Sequence, residues 1–350
     1  MSYRQHQVSA KPEHVLVRAN DIVRSATGTG EKEKIIALDQ LHVTIANASK
    51  RKQSQWSKVY EQVMKRHVEL CVDLKDHRAA KDGLHQYRNL CLHVDPNSLE
   101  IVILHLMELA ENQTILAKQK ANKVALAAAQ QISDLDQEET PESIMLASMT
   151  DEGAKDRTDR EVFGPWLKFL WEIYRAILEL LNRNSKLEKV YHKTCEKAFK
   201  FCQDYSRKVE FRRLCSMLRD HLVQLNKTAG QIPKSRSVWE WSSDSIELHL
   251  QTRFSQLEVT TNLELWNEGF RTIEDIHKIM IIGKKTTKPK LMAVYYEKLT
   301  RIFWVSENYL FHAYSWYRFY TLTLDYRSKD LKPEEKSLLA SCVLLSLIHI

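Results

Sequence analysis

From Trp56 to Leu74, large side chains return at i, i+3, i+4 and i+7: Trp56, Val59, Tyr60, Val63, Met64, His67, Leu70, Cys71 and Leu74. Only a winding of 3.6 residues per turn brings those positions onto one side, so the segment is committed to a helix with one buried face. After a short turn at Lys75-Asp76-His77, the pattern resumes with Ala80, Gly83, Leu84, Tyr87, Leu90, Cys91 and Val94. The two segments are therefore expected to fold back on each other as an antiparallel hairpin, with Gly83 where the helices can approach closely.

The same period runs through most of the chain. Pro12 stands where a helix would open, and Val15, Leu16, Ala19, Ile22, Val23 and Ala26 form its stripe up to a Gly28-Thr29-Gly30 turn. A second helix is expected from Glu31 to Asn47. Asp95-Pro96 interrupts the chain, Asn97 and Glu100 read as a capping box, and one helix of about 35 residues, on the order of 50 Å, should run to Ile132. Its Ala- and Lys-rich second half, from Ala117, is weakly amphipathic and is expected to project along or beyond the body.

An acidic stretch follows, with Asp134, Asp136, Glu138, Glu139, a Thr140-Pro141 helix start and Asp151-Glu152-Gly153. Beyond it, Gly164-Pro165 opens a helix carrying Trp166, Leu167, Leu170, Ile173, Tyr174, Ile177 and Leu181. Phe211, Leu214, Cys215, Leu218, Leu222 and Leu225 mark another, Thr261-x-x-Glu264 reads as the cap of a third containing Trp266, Phe270, Ile273 and Met280, and Pro289 and Pro333 each open one more. Only eight Gly and seven Pro occur in 350 residues, too few for the turns of a β-rich protein. Helix pairs repeating every 35 to 45 residues predict an all-α, tetratricopeptide-like helical-repeat solenoid of antiparallel helix pairs. The expected divisions are helical repeats over 1–132, an acidic linker with a short helix over 133–158, and a second helical-repeat array over 159–332. Leu338, Leu339, Val343, Leu344, Leu347, Ile348 and Ile350 then make the last helix apolar almost all round, which predicts that more chain follows it.

Catalytic patterns are absent from the sequence. There is no dinucleotide or phosphate loop, since Gly28 and Gly30 are followed by Glu31, and neither H-E-x-x-H nor G-x-S-x-G occurs. Glu274 and His277 form a single E-x-x-H, half of what a carboxylate-bridged di-metal bundle needs. His192 and Cys195 lie one helical turn apart, but a metal needs further ligands that the sequence does not supply. The expectation is therefore no catalytic residue, no metal site and no cofactor. The six cysteines, with no C-x-x-C pair, read as buried thiols. No secretory signal begins the chain and the longest apolar run, Leu338 to Ile350, falls short of a bilayer, so a cytoplasmic protein without a membrane partner is expected.

The formal charge of +7 is organised rather than scattered. Lys186, Lys189, Lys193, Lys197 and Lys200 fall within an arc of roughly 80° on one helix, beside an apolar face of Leu187, Val190, Tyr191, Ala198 and Phe201. Such a row either snorkels over the core edge or meets phosphate or an acidic partner. Lys284, Lys285, Lys288 and Lys290 form a basic corner between helices. The aromatic run from Phe303 to Tyr320 contains Arg318 but little other basic interleaving, so packing between repeats is expected in preference to a base-stacking platform.

Several segments, read as words, resemble the N-terminal region of the largest, or a, component of eukaryotic translation initiation factor three. They are Glu69-Leu-Cys-Val-Asp-Leu74, Gly83-Leu-His-Gln-Tyr-Arg88, Thr140-Pro-Glu-Ser143, Asp156-Arg-Thr-Asp-Arg160, Pro165-Trp-Leu-Lys-Phe-Leu-Trp171, Glu210-Phe-Arg-Arg-Leu-Cys215 and Leu291-Met-Ala-Val-Tyr-Tyr296, with Pro12-Glu13 and Arg18-Ala-Asn20 before them. The resemblance implies a helical array leading into a PCI domain, which makes 333–350 the start of a truncated PCI domain. It also implies a non-catalytic scaffold assembled with the c subunit, with other subunits of the same factor, and with the small (40S) ribosomal subunit near the mRNA exit. RNA, ribosomal or messenger, is a further implied partner. Carried onto this chain, the family's ribosomal contact on the first helix falls on Arg18, Asn20 and Asp21. Without those words, the helices alone would equally suit a member of a proteasome-lid-like or signalosome-like PCI complex.

Overall fold

The computed structural model describes residues 11–25, 30–50, 56–92, 94–131, 163–182, 184–228, 241–283, 289–327 and 331–348. Among the described residues there are thirteen α-helices and no strand, an all-α helical-repeat fold. The helices are α1 (Pro12–Ser25), α2 (Glu31–Lys50), α3 (Lys58–Leu74), α4 (His77–Cys91), α5 (Pro96–Gln131), α6 (Gly164–Leu181), α7 (Glu188–Asp204), α8 (Lys208–Thr228), α9 (Ser243–Asn262), α10 (Trp266–Gly283), α11 (Pro289–Val305), α12 (Tyr309–Arg327) and α13 (Pro333–Ile348). The chain divides into two compact units, Met1–Leu180 and Leu181–Ile350. The acidic stretch expected at 133–158 lies outside the described residues.

In the first unit, α1 packs on α2 and α3, α2 on α3 and α4, and α3 on α4 and α5. Contact with the next helix and the next but one is the geometry of stacked helix pairs, in which each pair covers the face its predecessor leaves open. The expected stripes form the core: Val63, Met64, Leu70 and Cys71 of α3 and Ala80, Leu84, Tyr87 and Cys91 of α4 are buried. Gly83 is the close approach, because a Cβ there would lie 2.5 Å from Cε1 of His67. Burial pushes the pKa of His67 down to about 3, with the neighbouring His42 acting in the same direction, so a neutral imidazole fills the space. The long α5 still buries Ala117 and Ala121 in its second half. Its cap differs from the expected Asn97–Glu100 box: Asp95 Oδ1 accepts from Asn97 N at 3.1 Å, and Pro96 takes the first helical position. Proline is favoured there because its missing N–H would go unbonded in any case.

In the second unit, α7 packs on α8 and α9, α8 on α10, α9 on α10 and α11, and α10 on α11. Leu222, Leu250, Phe254, Leu257, Ile276, Ile279, Tyr295, Leu299 and Ile302 form its central cluster. Here too one expected cap is displaced. Thr261 lies in the last turn of α9, its hydroxyl donating to the carbonyl of Glu258 at 2.7 Å, and Glu264 follows as the corner residue.

Four corners share one construction. Lys75, Ser206, Glu264 and Glu307 each adopt a left-handed φ between 50° and 59°. In each, the next N–H reaches back five residues: Asp76 to Cys71 (2.9 Å), Arg207 to Cys202 (2.8 Å), Leu265 to Thr260 (3.0 Å) and Asn308 to Phe303 (3.0 Å). Together with the shorter bond from the left-handed residue itself, this is a Schellman closure, which normally takes glycine. After the first corner, Asp76 caps α4 through Arg78 N and Ala79 N. Each left-handed side chain costs on the order of 1 kcal/mol. Replacing exposed Glu264 or Glu307 by Gly should therefore raise unfolding stability by about 0.5–1 kcal/mol, after the loss to unfolded-chain entropy. Urea titrations would show a higher midpoint at unchanged slope; a lowered midpoint would mean that the side chain, not the turn, holds the corner.

Candidate interaction surfaces

On α1, Ala19 is buried, and Val15, Leu16, Ile22 and Val23 are half-buried toward α2 and α3. Arg18 and Asp21 are exposed and Asn20 is half-buried. Val17, beside Arg18, is 58% exposed. The three polar residues lie off the stripe that folds the helix, so the outer face of α1 is a surface of mixed charge and one apolar side chain.

The lysine row sits on α7 and the 3-10 turn Ser185–Leu187 before it. Lys186, Lys189, Lys193 and Lys200 are exposed and Lys197 is half-buried, while Leu187, Val190, Tyr191, Ala198 and Phe201 face inward. Asn184 fixes the start of the row by accepting from Lys186 N at 3.2 Å. Exposed Glu196 borders the row and lowers its net charge. Of the basic corner, Lys284, Lys285 and Lys288 lie outside the described residues; Lys290 is exposed in the first turn of α11.

The aromatic run departs from its expected burial. Phe303, Trp316, Phe319 and Tyr320 are half-buried, but Trp304, Tyr309, Phe311, Tyr314 and Tyr317 are exposed. The inward face of α12 is instead made of His312, Ala313, Ser315 and Thr323. Small side chains there let α12 lie close to its neighbours and displace the rings to the flanks. The rings pack on one another, Phe303 stacking on Phe311 at 5.5 Å and Arg318 lying over Tyr296 at 5.6 Å. On α13, Leu338, Leu344, Leu345, Leu347 and Ile348 are 52–76% exposed. These side chains leave much of α13 as an exposed apolar face.

Beneath the lysine row lies a buried polar cluster. Glu188 and His192 are one turn apart on α7, and His249 enters from α9. Glu188 Oε1 is 3.7 Å from His192 Nε2 and 3.4 Å from His249 Nε2. Burial works against the Glu188 charge, but His192, His249 and Ser245 outweigh it and hold its pKa down to about 2. Burial lowers that of His249 to about 4 against the pull of Glu188. The partners named from sequence do not meet: Cys195 is fully buried outside the cluster, and Glu274 and His277 stand exposed on α10, Glu274 beside Lys278 at 3.9 Å. The Glu188-x-x-x-His192 spacing was visible in the sequence; His249 was not, because only tertiary pairing brings α9 to α7.

Next to this cluster a charged clasp ties α8, α9 and α10. Arg253 donates to Gln256 Oε1 at 2.6 Å and to the Leu218 carbonyl at 2.8 Å, and Gln256 donates to Thr272 at 2.9 Å. Arg219 reaches Asp275 at 3.2 Å and Glu268 at 3.3 Å. Among the described residues, no helix is long and apolar enough to cross a membrane.

Comparison with known proteins gives a consistent match. A family model described as "eIF3a, PCI domain, TPR-like region" matches residues 13–350. The chain is 45% identical over 341 residues to the a component of eukaryotic translation initiation factor 3 from Nicotiana tabacum, covering 97% of this chain and 34% of that protein. It is 42% identical over 340 residues to the Danio rerio protein of the same name, covering 97% of this chain and 26% of that protein. The chain thus spans about a third or less of the length of these relatives.

Because Arg18, Asn20 and Asp21 stand apart from the buried stripe of α1, alanine at all three should leave the helical circular dichroism unaltered. Stability should shift by less than about 0.5 kcal/mol. A clear drop in melting temperature would make these residues part of the fold rather than a free surface.

Proposed function

The chain belongs to the PCI and TPR-like region of the a component of eukaryotic translation initiation factor 3, and from that premise we propose that it is a non-catalytic scaffold of the initiation machinery. In this reading the helical repeats are a frame whose outer faces bind other macromolecules. The polar face of α1 meets the small ribosomal subunit near the mRNA exit. The lysine row on α7 meets ribosomal or messenger RNA, or an acidic protein. The exposed rings of α12 and the apolar side chains of α13 meet a neighbour within the factor, the c subunit.

The observation that carries the proposal is the placement of the lysine row. Four of its five lysines are exposed, on a helix and its leading turn whose opposite face is used in packing. Clustered cations of this kind bind a polyanion by releasing its condensed counterions, so the affinity must fall steeply with salt. An exposed row that only covered the core would show no such dependence.

Changing Lys189, Lys193 and Lys200 together to Glu, in the full-length protein, should lower affinity for purified small ribosomal subunits by about tenfold or more at low salt. It should also flatten the dependence of log K on log salt, by about one unit per lost phosphate contact. Equal affinity and equal slope for the variant and the parent would assign the row to solvent.

A further inference from the structure

The cluster of Glu188, His192 and His249 has the makings of a cation site, on observations independent of the ribosomal reading. Its donor atoms all lie within 4.8 Å of one another. A tetrahedral ion holding nitrogen and oxygen donors at about 2.05 Å requires them to be about 3.3–3.4 Å apart. The carboxylate oxygen already stands 3.4 Å from His249 Nε2 and 3.7 Å from His192 Nε2, so these two edges are close to what an ion requires, and the edge between the two histidines, within 4.8 Å, is the one that closes on binding.

The orientation of His192 points the same way. Its side chain is 5% exposed, and its Nδ1 is engaged with the Thr252 hydroxyl at 2.6 Å. The buried Nε2 has no hydrogen-bond partner and is directed at the Glu188 carboxylate across a gap too long for a hydrogen bond. A metal-binding histidine is normally oriented by a hydrogen bond at its other ring nitrogen, the part that Thr252 plays for His192. Ser245 donates to the same carboxylate oxygen, Glu188 Oε1, which orients the carboxylate and leaves that oxygen a second lone pair. Ser245, His249 and Thr252 follow one another on a single face of α9, so one helix supplies a ligand and both orienting hydroxyls.

The charges are suitable as well. Ligation calls for an ionised carboxylate and neutral imidazoles, and the three side chains are one carboxylate and two imidazoles. The cation that opposes a metal here is Arg253, one turn from His249, but its guanidinium is held by Gln256 and the Leu218 carbonyl with Asp275 4.0 Å away. A small void beside the cluster, bordered by Asn182, Asn184, Leu225 and His249, has space on the order of one water, enough for a fourth ligand.

We infer that Glu188, His192 and His249 bind one divalent transition-metal ion of the zinc type, which staples α7 to α9. Two imidazoles and one carboxylate in a tetrahedral arrangement select a borderline ion such as Zn²⁺ over Mg²⁺ or Ca²⁺, which prefer six or more oxygens. The ion joins two helices of the second unit under the lysine row, so its effect is on the rigidity of that face.

The test uses the untagged 350-residue chain, stripped with chelator and titrated with Zn²⁺ and with Co²⁺ as a spectroscopic probe. One equivalent of Co²⁺ should give the intense visible bands of a tetrahedral centre, Zn²⁺ should displace it, and Zn²⁺ should raise the melting temperature where Mg²⁺ does not. Glu188→Gln and His249→Gln should each reduce metal affinity by at least tenfold while keeping the helical circular dichroism. Absence of tetrahedral Co²⁺ bands in the parent chain would overturn the inference without reference to any variant. So would equal binding by folded variants. Loss of ribosome binding in the lysine variant would bear on the proposed function alone.

Discussion

Four helix reversals in this fold are made within two or three residues, and the pairing of the helices on either side depends on them. At Lys75, Ser206, Glu264 and Glu307 the backbone turns left-handed, and a bond spanning five residues closes the end of one helix as the next begins. So tight a reversal keeps the two helices it joins side by side, and several helices also touch the next but one, as α1 does α3, α2 does α4 and α7 does α9. Since these are not glycines, each corner carries a local strain that the packing on either side must outweigh. Within each unit the result is a set of stacked helix pairs, on whose outer faces rows such as the lysines of α7 can be displayed.

Much of this was legible in the sequence. The stripes of α3, α4, α6 and α8 predicted most of their buried faces, because large side chains at helical spacing have no other way to leave water; the exception is Val94, which follows the end of α4 and is 64% exposed. Two caps fall elsewhere than the pattern suggests, and for the same reason. Asn97–Glu100 and Thr261–Glu264 satisfy the capping pattern, but Asp95 with Pro96 and the left-handed Glu264 are stronger local determinants. The aromatic run was expected inside and stands largely outside, because the close packing of α12 is made by Ala313, Ser315 and Thr323, which a hydrophobicity pattern ignores.

Helix α9 was the least legible element and contributes most to the chemistry of the interior. It buries Ser245, His249, Thr252, Arg253, Gln256, Thr260 and Thr261, so no apolar stripe announces it. Its polar side chains are bound to partners on α7, α8 and α10, and those bonds are unreadable until the helices are placed together. Buried hydrogen bonds and ion pairs need accurate geometry to offset the desolvation of their members. They therefore fix the register of the second unit more strictly than its leucines do. Burial pushes the pKa of Cys91 and Cys215 up to about 12, with that of Cys195 and Cys202 raised as well, so they stay protonated and act as small apolar side chains.

A committed interior is thus separated from outer faces that are open to partners. Hydroxyl-radical footprinting of the full-length protein, free and bound to purified small ribosomal subunits, tests that separation directly, because labelling follows side-chain exposure. Val17 of α1 and the exposed side chains of α7 should lose labelling on binding, while the buried side chains of α9 stay unlabelled in both states. Unchanged labelling at α1 and α7, with protection only elsewhere on the protein, would contradict the assignment of these faces as the docking surface.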